Sequence, residues 1–461
     1  MGNAIGNLAT SLLNSANALS VYSTALGVVQ ENVTNANTPG YATQTASLMA
    51  QPFDLVTGMP GGVALGPTQS SRSQFAEQGV RDQQTASGYY TQQISDLSTA
   101  QNYFSLSDTS GIAPDISALF SSFSQLSVTP NDSVARQTVL NDAANVAQDF
   151  NDTASGLLSQ AGNLHEATNS TISQINQLGA TIAQINTQHR VDPSGGTDAG
   201  LDAQLNSALE QLSQLSNFST LQQTDGTVSV FIGGQTPLVM GSQSYAIGGD
   251  FSTAQTAILS SSGTDITDQI TGGQLGAELA DNNTALPSYV NSLNTLAQTL
   301  ADQVNGALNN GIDENGAAPT TDLFSYDAAN GAALTLSVNP LTPDQIAAAS
   351  PGAPGGNGNA LALAALANAP VVNGYTFAQS YGNLGGQVGS DLASATNNES
   401  TTQALLSQAQ TLRQQISGVS LDTQAESLME YEQSYDAISK MLGALNDLTT
   451  TEINILPPVT S

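Results

Sequence analysis

Residues 5–41 read IGNLATSLLNSANALSVYSTALGVVQENVTNANTPGY, a helical pattern that runs into a corner. Ile5, Leu8, Leu12, Ser15, Leu19, Tyr22, Leu26 and Val29 recur at spacings of three and four, the register of a helix packed on another helix. Only Ser15 interrupts the apolar stripe. Asn35-Ala36-Asn37-Thr38-Pro39-Gly40-Tyr41 then stops it, because proline and glycine oppose helix continuation and asparagine favours turns. The far end of the chain repeats the plan. Leu421, Leu428, Tyr431, Tyr435, Ile438, Leu442 and Leu445 keep the same spacing, with Gln424 as the polar member, until Pro457-Pro458 close the run.

Magnitudes say what such stripes need. Burying about six or seven apolar side chains at about 2 kcal/mol each yields roughly 10–15 kcal/mol, whereas ordering some thirty residues costs at least about 1 kcal/mol apiece. A terminal helix alone is therefore expected to stay disordered until neighbouring faces cover it, which couples its folding to assembly.

Composition narrows the function classes. The chain has 461 residues, of which 9% are charged; Lys+Arg is 6 against Asp+Glu 37, giving a net charge of −31. A surface so poor in cations cannot neutralise phosphates, which disfavours nucleic acid and anionic membranes as partners. There is no cysteine, so disulfides, thiolate metal sites and a cysteine nucleophile are all excluded. The first basic residue is Arg72, so the N-terminus lacks the positive region of a secretory signal peptide. No apolar run reaches membrane-spanning length.

Between the ends the period changes several times. After a Gly/Pro-rich stretch around Gly58 to Pro67, helices are predicted over Ala76–Ser107, Ile116–Leu126 and Ser133–Thr187. The last carries its own seam of Leu157, Leu164, Ile175, Leu178, Ile182 and Ile185, which implies a long rod. A break at Asp192-Pro193-Ser194-Gly195-Gly196 turns it back into a helix over Leu201–Leu215, forming an antiparallel hairpin. From Gly226 the period becomes two, and Thr227–Gly234 with Pro237–Gly241 reads as a β-hairpin or short meander. A further helix, Leu286–Leu308, returns to the bundle. The stretch Asn309–Asn373 is rich in Ala, Gly, Pro and Asn and reads as a loop-rich, outward insertion before helices resume over Gln379–Ile416.

Nothing nominates a catalytic or metal site. His165 and His189 have neither metal-ligand spacing nor a nucleophile motif beside them and read as solvated helix residues. Gly311-Ile312-Asp313-Glu314-Asn315-Gly316 lacks the ligand spacing of a calcium loop and reads as a turn. Gly233-Gly234 and Gly272-Gly273 have no phosphate-binding context; the first reads as a β-turn and the second as a helix start. No cofactor is expected.

The paired terminal heptads, the corner at Asn35, Asn37, Thr38, Pro39, Gly40 and Tyr41, and the closing run from Ser417 to Tyr435 resemble the rod, hook and hook-associated axial proteins of the bacterial flagellum. The interior stretches Asp225–Gly234, Gly272–Gly276, Leu286–Asn305, Asn310–Phe324 and Gly358–Leu363 look most like the hook-associated group that links hook to filament. Two departures remove cations. Ala42-Thr43-Gln44 stands where the family has Ser-Arg-Gln, and no arginine occurs over Leu201–Leu209.

The resemblance implies a mainly α fold with a β insertion. Residues 1–44 and 419–461 would be the coiled-coil helices of an inner tube, and 45–220, 272–310 and 379–418 an elongated helical bundle. Residues 221–271 would be a small β-rich unit and 311–378 a loop-rich outer insertion. The implied role is structural and non-enzymatic: a junction ring whose copies assemble through Leu8, Leu12, Leu19, Tyr22, Leu26 and Val29 with Leu421, Leu428, Tyr431, Tyr435, Ile438, Leu442 and Leu445. Its implied partners are further copies, the hook protein, the next junction protein and a cytoplasmic export chaperone. Its implied place is outside the cell, reached by the flagellar type III route without a cleaved signal peptide. The alternatives are a hook or filament subunit, a secreted cell-wall hydrolase and an adhesin.

Overall fold

The computed structural model describes residues 2–52, 61–104, 110–191, 198–223 and 225–455. Helix α1 (Gly2–Thr34) runs unbroken to the corner. Its counterpart α11 (Leu421–Ile455) starts behind Ser420, whose hydroxyl accepts the Thr423 amide at 3.4 Å. The two helices lie side by side, with the rings of Tyr22 and Tyr431 6.2 Å apart between centroids. The predicted break at 192–196, the terminal prolines 457–458, residues 53–60, residues 105–109 and the side chain of Ile5 lie outside what is described.

Between the terminal helices stand α2 (Gln74–Gln101), α3 (Ile112–Val128), α4 (Ser133–Val191), α5 (Ala199–Leu215), α6 (Gly273–Ala280), α7 (Leu286–Asn309), the short α8 (Ala332–Thr335) and α9 (Gly358–Ala365), and α10 (Phe377–Ser417). Local chemistry sets their starts. The Ser73 hydroxyl accepts the Ala76 amide at the head of α2, Asp198 caps α5 through the amides of Gly200 and Leu201, and Thr376 with Gln379 forms a capping box on α10. The rod expected over 133–187 is the 59-residue α4.

Strands Phe218–Gln222, Val228–Ile232, Thr236–Met240 and Gln243–Ser244 form an antiparallel meander. Gly233 and Gly234 hold φ of +60° and +80° in the turn between the second and third strands, a conformation that glycine adopts without steric cost. The β unit begins at Phe218, slightly ahead of residue 221, because Leu215 closes α5 and Ser216 is already extended. Asn186 docks α4 on this sheet, donating to the Val228 and Gly241 carbonyls (2.8 and 2.7 Å) and accepting the Val228 amide (3.0 Å).

Apolar side chains gather in two cores. One joins α3, the first half of α4, α7 and the start of α10, around Phe123, Phe150, Leu293, Leu300 and Phe377. The other joins the second half of α4 to α5, α6 and the sheet, around Ile175, Ile182, Leu212, Val230 and Leu238. The stretch 311–378 is loop-rich, but it is not an appendage. Leu323, Phe324, Ala333, Ile346, Leu363 and Val372 are buried in the first core, since these apolar residues still need cover where Gly, Pro and Asn break the helix. Buried Arg136 ties this stretch down by donating to the carbonyls of Ile346 (2.5 Å) and Pro130 (2.9 Å). The Asp313 carboxylate accepts the amides of Asn315 (2.9 Å) and Ala317 (2.8 Å), which closes a turn.

Candidate functional site

The terminal helices leave the bundle at one knot, which begins with Asn32. Its amide donates to the Gln44 carbonyl (2.7 Å) and to Gln424 Oε1 on α11 (2.9 Å). Its carbonyl oxygen accepts the Gln44 amide (2.8 Å) and the Tyr41 hydroxyl (2.9 Å). All four hydrogen-bonding capacities of this buried side chain are used, and they join α1, the corner and α11. Burial, and then the charge of Glu31, push the Tyr41 phenol up to about 12, so it remains a donor.

The corner itself is short and specified. The Thr38 amide and hydroxyl donate to the carbonyl and side chain of Asn35 (2.9 and 3.1 Å), while Asn37 and Pro39 face outward. Gly40 has φ of +75°, and a Cβ there would lie 2.4 Å from the Ala203 carbonyl oxygen on α5. Backbone conformation and close approach both require glycine at this point.

The returning chain passes through the same place. The Ser417 carbonyl accepts the Thr43 amide (2.9 Å), its hydroxyl donates to the Ser71 carbonyl (3.1 Å), and the Gly418 carbonyl accepts the Thr43 hydroxyl (2.8 Å). Arg72 donates to Asp202 (2.8 Å), Glu77 (2.6 Å) and the Gly40 carbonyl (2.6 Å). Arg413 reaches Glu210 (2.8 Å) and the other oxygen of Glu77 (3.3 Å). Two of the chain's few cations thus lock the corner, α2, α5 and α10 around one buried carboxylate.

The predicted stripes are brought together with a shift in phase. Among the described side chains of α1, Ser15, Ala18, Ala25, Val29 and Asn32 are buried, while Leu8, Leu12, Leu19, Tyr22 and Leu26 are half-buried beside them. Small residues take the centre because they let neighbouring backbone approach closely. On α11, Gln424 is buried and Tyr431, Tyr435, Ile438, Leu442 and Leu445 are half-buried. Leu421 and Leu428 do not join the seam; they are 57% and 38% exposed. Leu405, Leu412 and Ile416 on α10, and Met441 and Leu448 on α11, are exposed as well.

The chemical candidates fall elsewhere. His165 packs against the ring of Phe251, with centroids 5.4 Å apart. His189, expected to be solvated, is buried, because it follows Ile185 and Asn186 round the helix to the face that meets the sheet. Among the described residues no group of three or more His, Cys, Asp or Glu could hold a metal ion, and no helix is long and apolar enough to cross a membrane.

Comparison with known proteins gives a consistent picture. The family model described as the helical domain of the flagellar hook-associated protein FlgK matches residues 97–324. Flagellar hook-associated protein 1 of Bacillus subtilis is 26% identical over 489 aligned residues, covering 95% of this chain and 96% of that protein. The protein of the same name from Escherichia coli is 27% identical over 67% of this chain and 59% of its own length. For the Salmonella typhimurium protein the values are 28%, 71% and 63%. The structure of the flagellar hook junction protein FlgK from Burkholderia pseudomallei shares the fold with a TM-score of 0.67 at 18% identity, covering 75% of this chain and 100% of that one.

Proposed function

Because this chain belongs to the flagellar hook-associated protein family, we propose that α1 and α11 line the inner tube of the flagellar axis and are the surfaces through which copies assemble. The chain is a structural component of the bacterial flagellum at the junction of hook and filament. The observation that carries the assembly reading is the incomplete cover of the terminal helices. Their seams are mostly half-buried, and Leu421 and Leu428 face outward. Such helices gain stability from each further neighbour that covers them.

On this reading one rim of a ring of copies meets the hook protein and the other meets the next junction protein. The chain travels through the flagellar type III apparatus with its N-terminus uncleaved, and a cytoplasmic chaperone covers α11 before release. Its role is mechanical and it performs no catalysis, in keeping with relatives named for a place in the flagellum. Leu12→Asp or Leu442→Asp is expected to abolish incorporation at the hook tip while the central bundle stays folded. Normal incorporation of both variants, seen by immunogold labelling of hooks, would overturn the proposal. Deletion of the gene separates this role from that of a hook or filament subunit: a junction protein leaves an intact hook without a filament.

A further inference from the structure

A polar layer divides the two apolar cores. On α4, Leu164 belongs to the first core and Ile172 to the second, with buried Thr168 and Thr171 between them. On the facing segment, Leu279 of α6 belongs to the second core and Leu286 of α7 to the first. Between these leucines the backbone widens into a π-helical turn, Asp281–Ala285, whose Asp281 and Asn282 side chains are buried. Such turns interrupt a helix at a local cost and are common where a segment has a further role.

Three carboxyls lie in this layer, with Asp96 close to Asp281 and within electrostatic reach of Glu278. Glu278 accepts the Thr171 hydroxyl (2.8 Å) and the Gln274 amide (2.9 Å) and lies near Thr168, but its second oxygen makes no hydrogen bond of good geometry. Asp96 on α2 accepts the Gln92 amide (2.9 Å) and faces the carboxyl of Asp281. Asp281, which is 1% exposed, lies against Gln93 and Asp96, but neither of its oxygens makes a hydrogen bond of good geometry. Among the described residues no cation pairs with any of the three. The titratable groups facing them are Tyr89 on α2, Tyr289 on α7 and Asp391 on α10, which accepts the Tyr289 hydroxyl at 2.6 Å. Helix α4 offers only neutral Gln160, Thr168 and Thr171. Carboxylates buried side by side with no cation are costly, and a proton removes that cost.

We propose that Asp96, Glu278 and Asp281 form a proton-dependent latch that joins the β unit to the bundle while the acids are neutral and lets the turn between α6 and α7 loosen as they ionise. Burial pushes Glu278 up to about 7. Burial raises Asp96, and burial followed by the charge of Asp96 raises Asp281. Acids raised in the folded chain contribute stability that is complete below their unfolded value, about 4, and is lost as pH rises through the folded one. The latch therefore weakens progressively up to about pH 7 and beyond. Water and protons have an approach, since a cleft of about 1230 Å³ between α7, α10 and the π-turn reaches Asp281.

Amide hydrogen exchange of the full chain, corrected for intrinsic rates, tests this at about pH 6 and about pH 8.5. Asp149, which burial and then the charge of Asp115 push up to about 6, is half ionised at the lower condition, so its own titration accounts for at most about a twofold change across the window. Protection of 273–285 is expected to fall at least about tenfold between the two conditions while that of 139–157 changes by no more than about twofold. Glu278→Gln is expected to reduce that fall, and Glu278→Gln with Asp281→Asn to abolish it. If Asp281→Asn disturbs the fold, Glu278→Gln alone carries the test. The same fall in Glu278→Gln as in the unaltered chain, or no fall in the unaltered chain, would overturn the latch. Recovery of protection at high pH with about 1 mM calcium would overturn it too, because the carboxyls would then be a cation site.

Discussion

Asn32 shows how one polar side chain can fix the direction of two helices. Asn32→Ala would strand the Tyr41 hydroxyl, the Gln44 amide and carbonyl, and Gln424 Oε1 in a buried setting, so a loss on the order of 3 kcal/mol is expected in urea unfolding. Tyr41→Phe withdraws a single donor, and about 1 kcal/mol is expected by the same measurement. Glu77→Gln leaves Arg72 and Arg413 without their shared carboxylate and should cost about 2 kcal/mol, less at high salt because Arg413 is partly exposed. The corner was legible in the sequence because the chemistry of proline, glycine and asparagine is local. Asn32 was not, because its partners lie 12 and 392 residues away and leave no local pattern. The ion network shares that difficulty, since its members come from α2, α5, α10 and the segment before α2.

At the scale of the element, spacing revealed that α1 and α11 pack but not which residues sit deepest. Reading by apolar size put Leu19 and Leu26 in the stripe, whereas close packing selects Ala18 and Ala25. Ala25→Leu is therefore expected to cost about 1–3 kcal/mol through overpacking. Leu26→Ala, at a half-buried site, should cost less; exchange protection of α1 amides would rank the two. Gly40→Ala meets both a positive φ and a backbone oxygen 2.4 Å away, so the corner must shift. A loss of at least about 1 kcal/mol is expected in the same urea series. Leu421→Ser and Leu428→Ser touch exposed positions and should leave the stability of the isolated chain within about 0.5 kcal/mol. On the assembly reading they nonetheless reduce incorporation at the hook tip.

Over the whole molecule, the 59-residue α4 is the spine that both cores share, and its long seam was the clearest interior signal in the sequence. The change of pattern at Gly226 located the β unit, although its second strand is buried on both faces, at Val228, Val230 and Ile232 and also at Ser229. The packing of 311–378 left no such trace, because irregular backbone buries its apolar residues without a period. The division into two cores was equally hidden, since it depends on which helices face each other across Thr168, Glu278 and Asp281. The central claim, that terminal helices build the axis and the rest of the chain stands outside it, is most directly tested by a cryo-EM map of the hook–filament junction with this chain traced. The expected map places α1 and α11 around the channel, with Leu421 and Leu428 against neighbouring copies and α4 radial to them. A map with the terminal helices on the outer surface, or with this chain absent from the junction, would contradict the account.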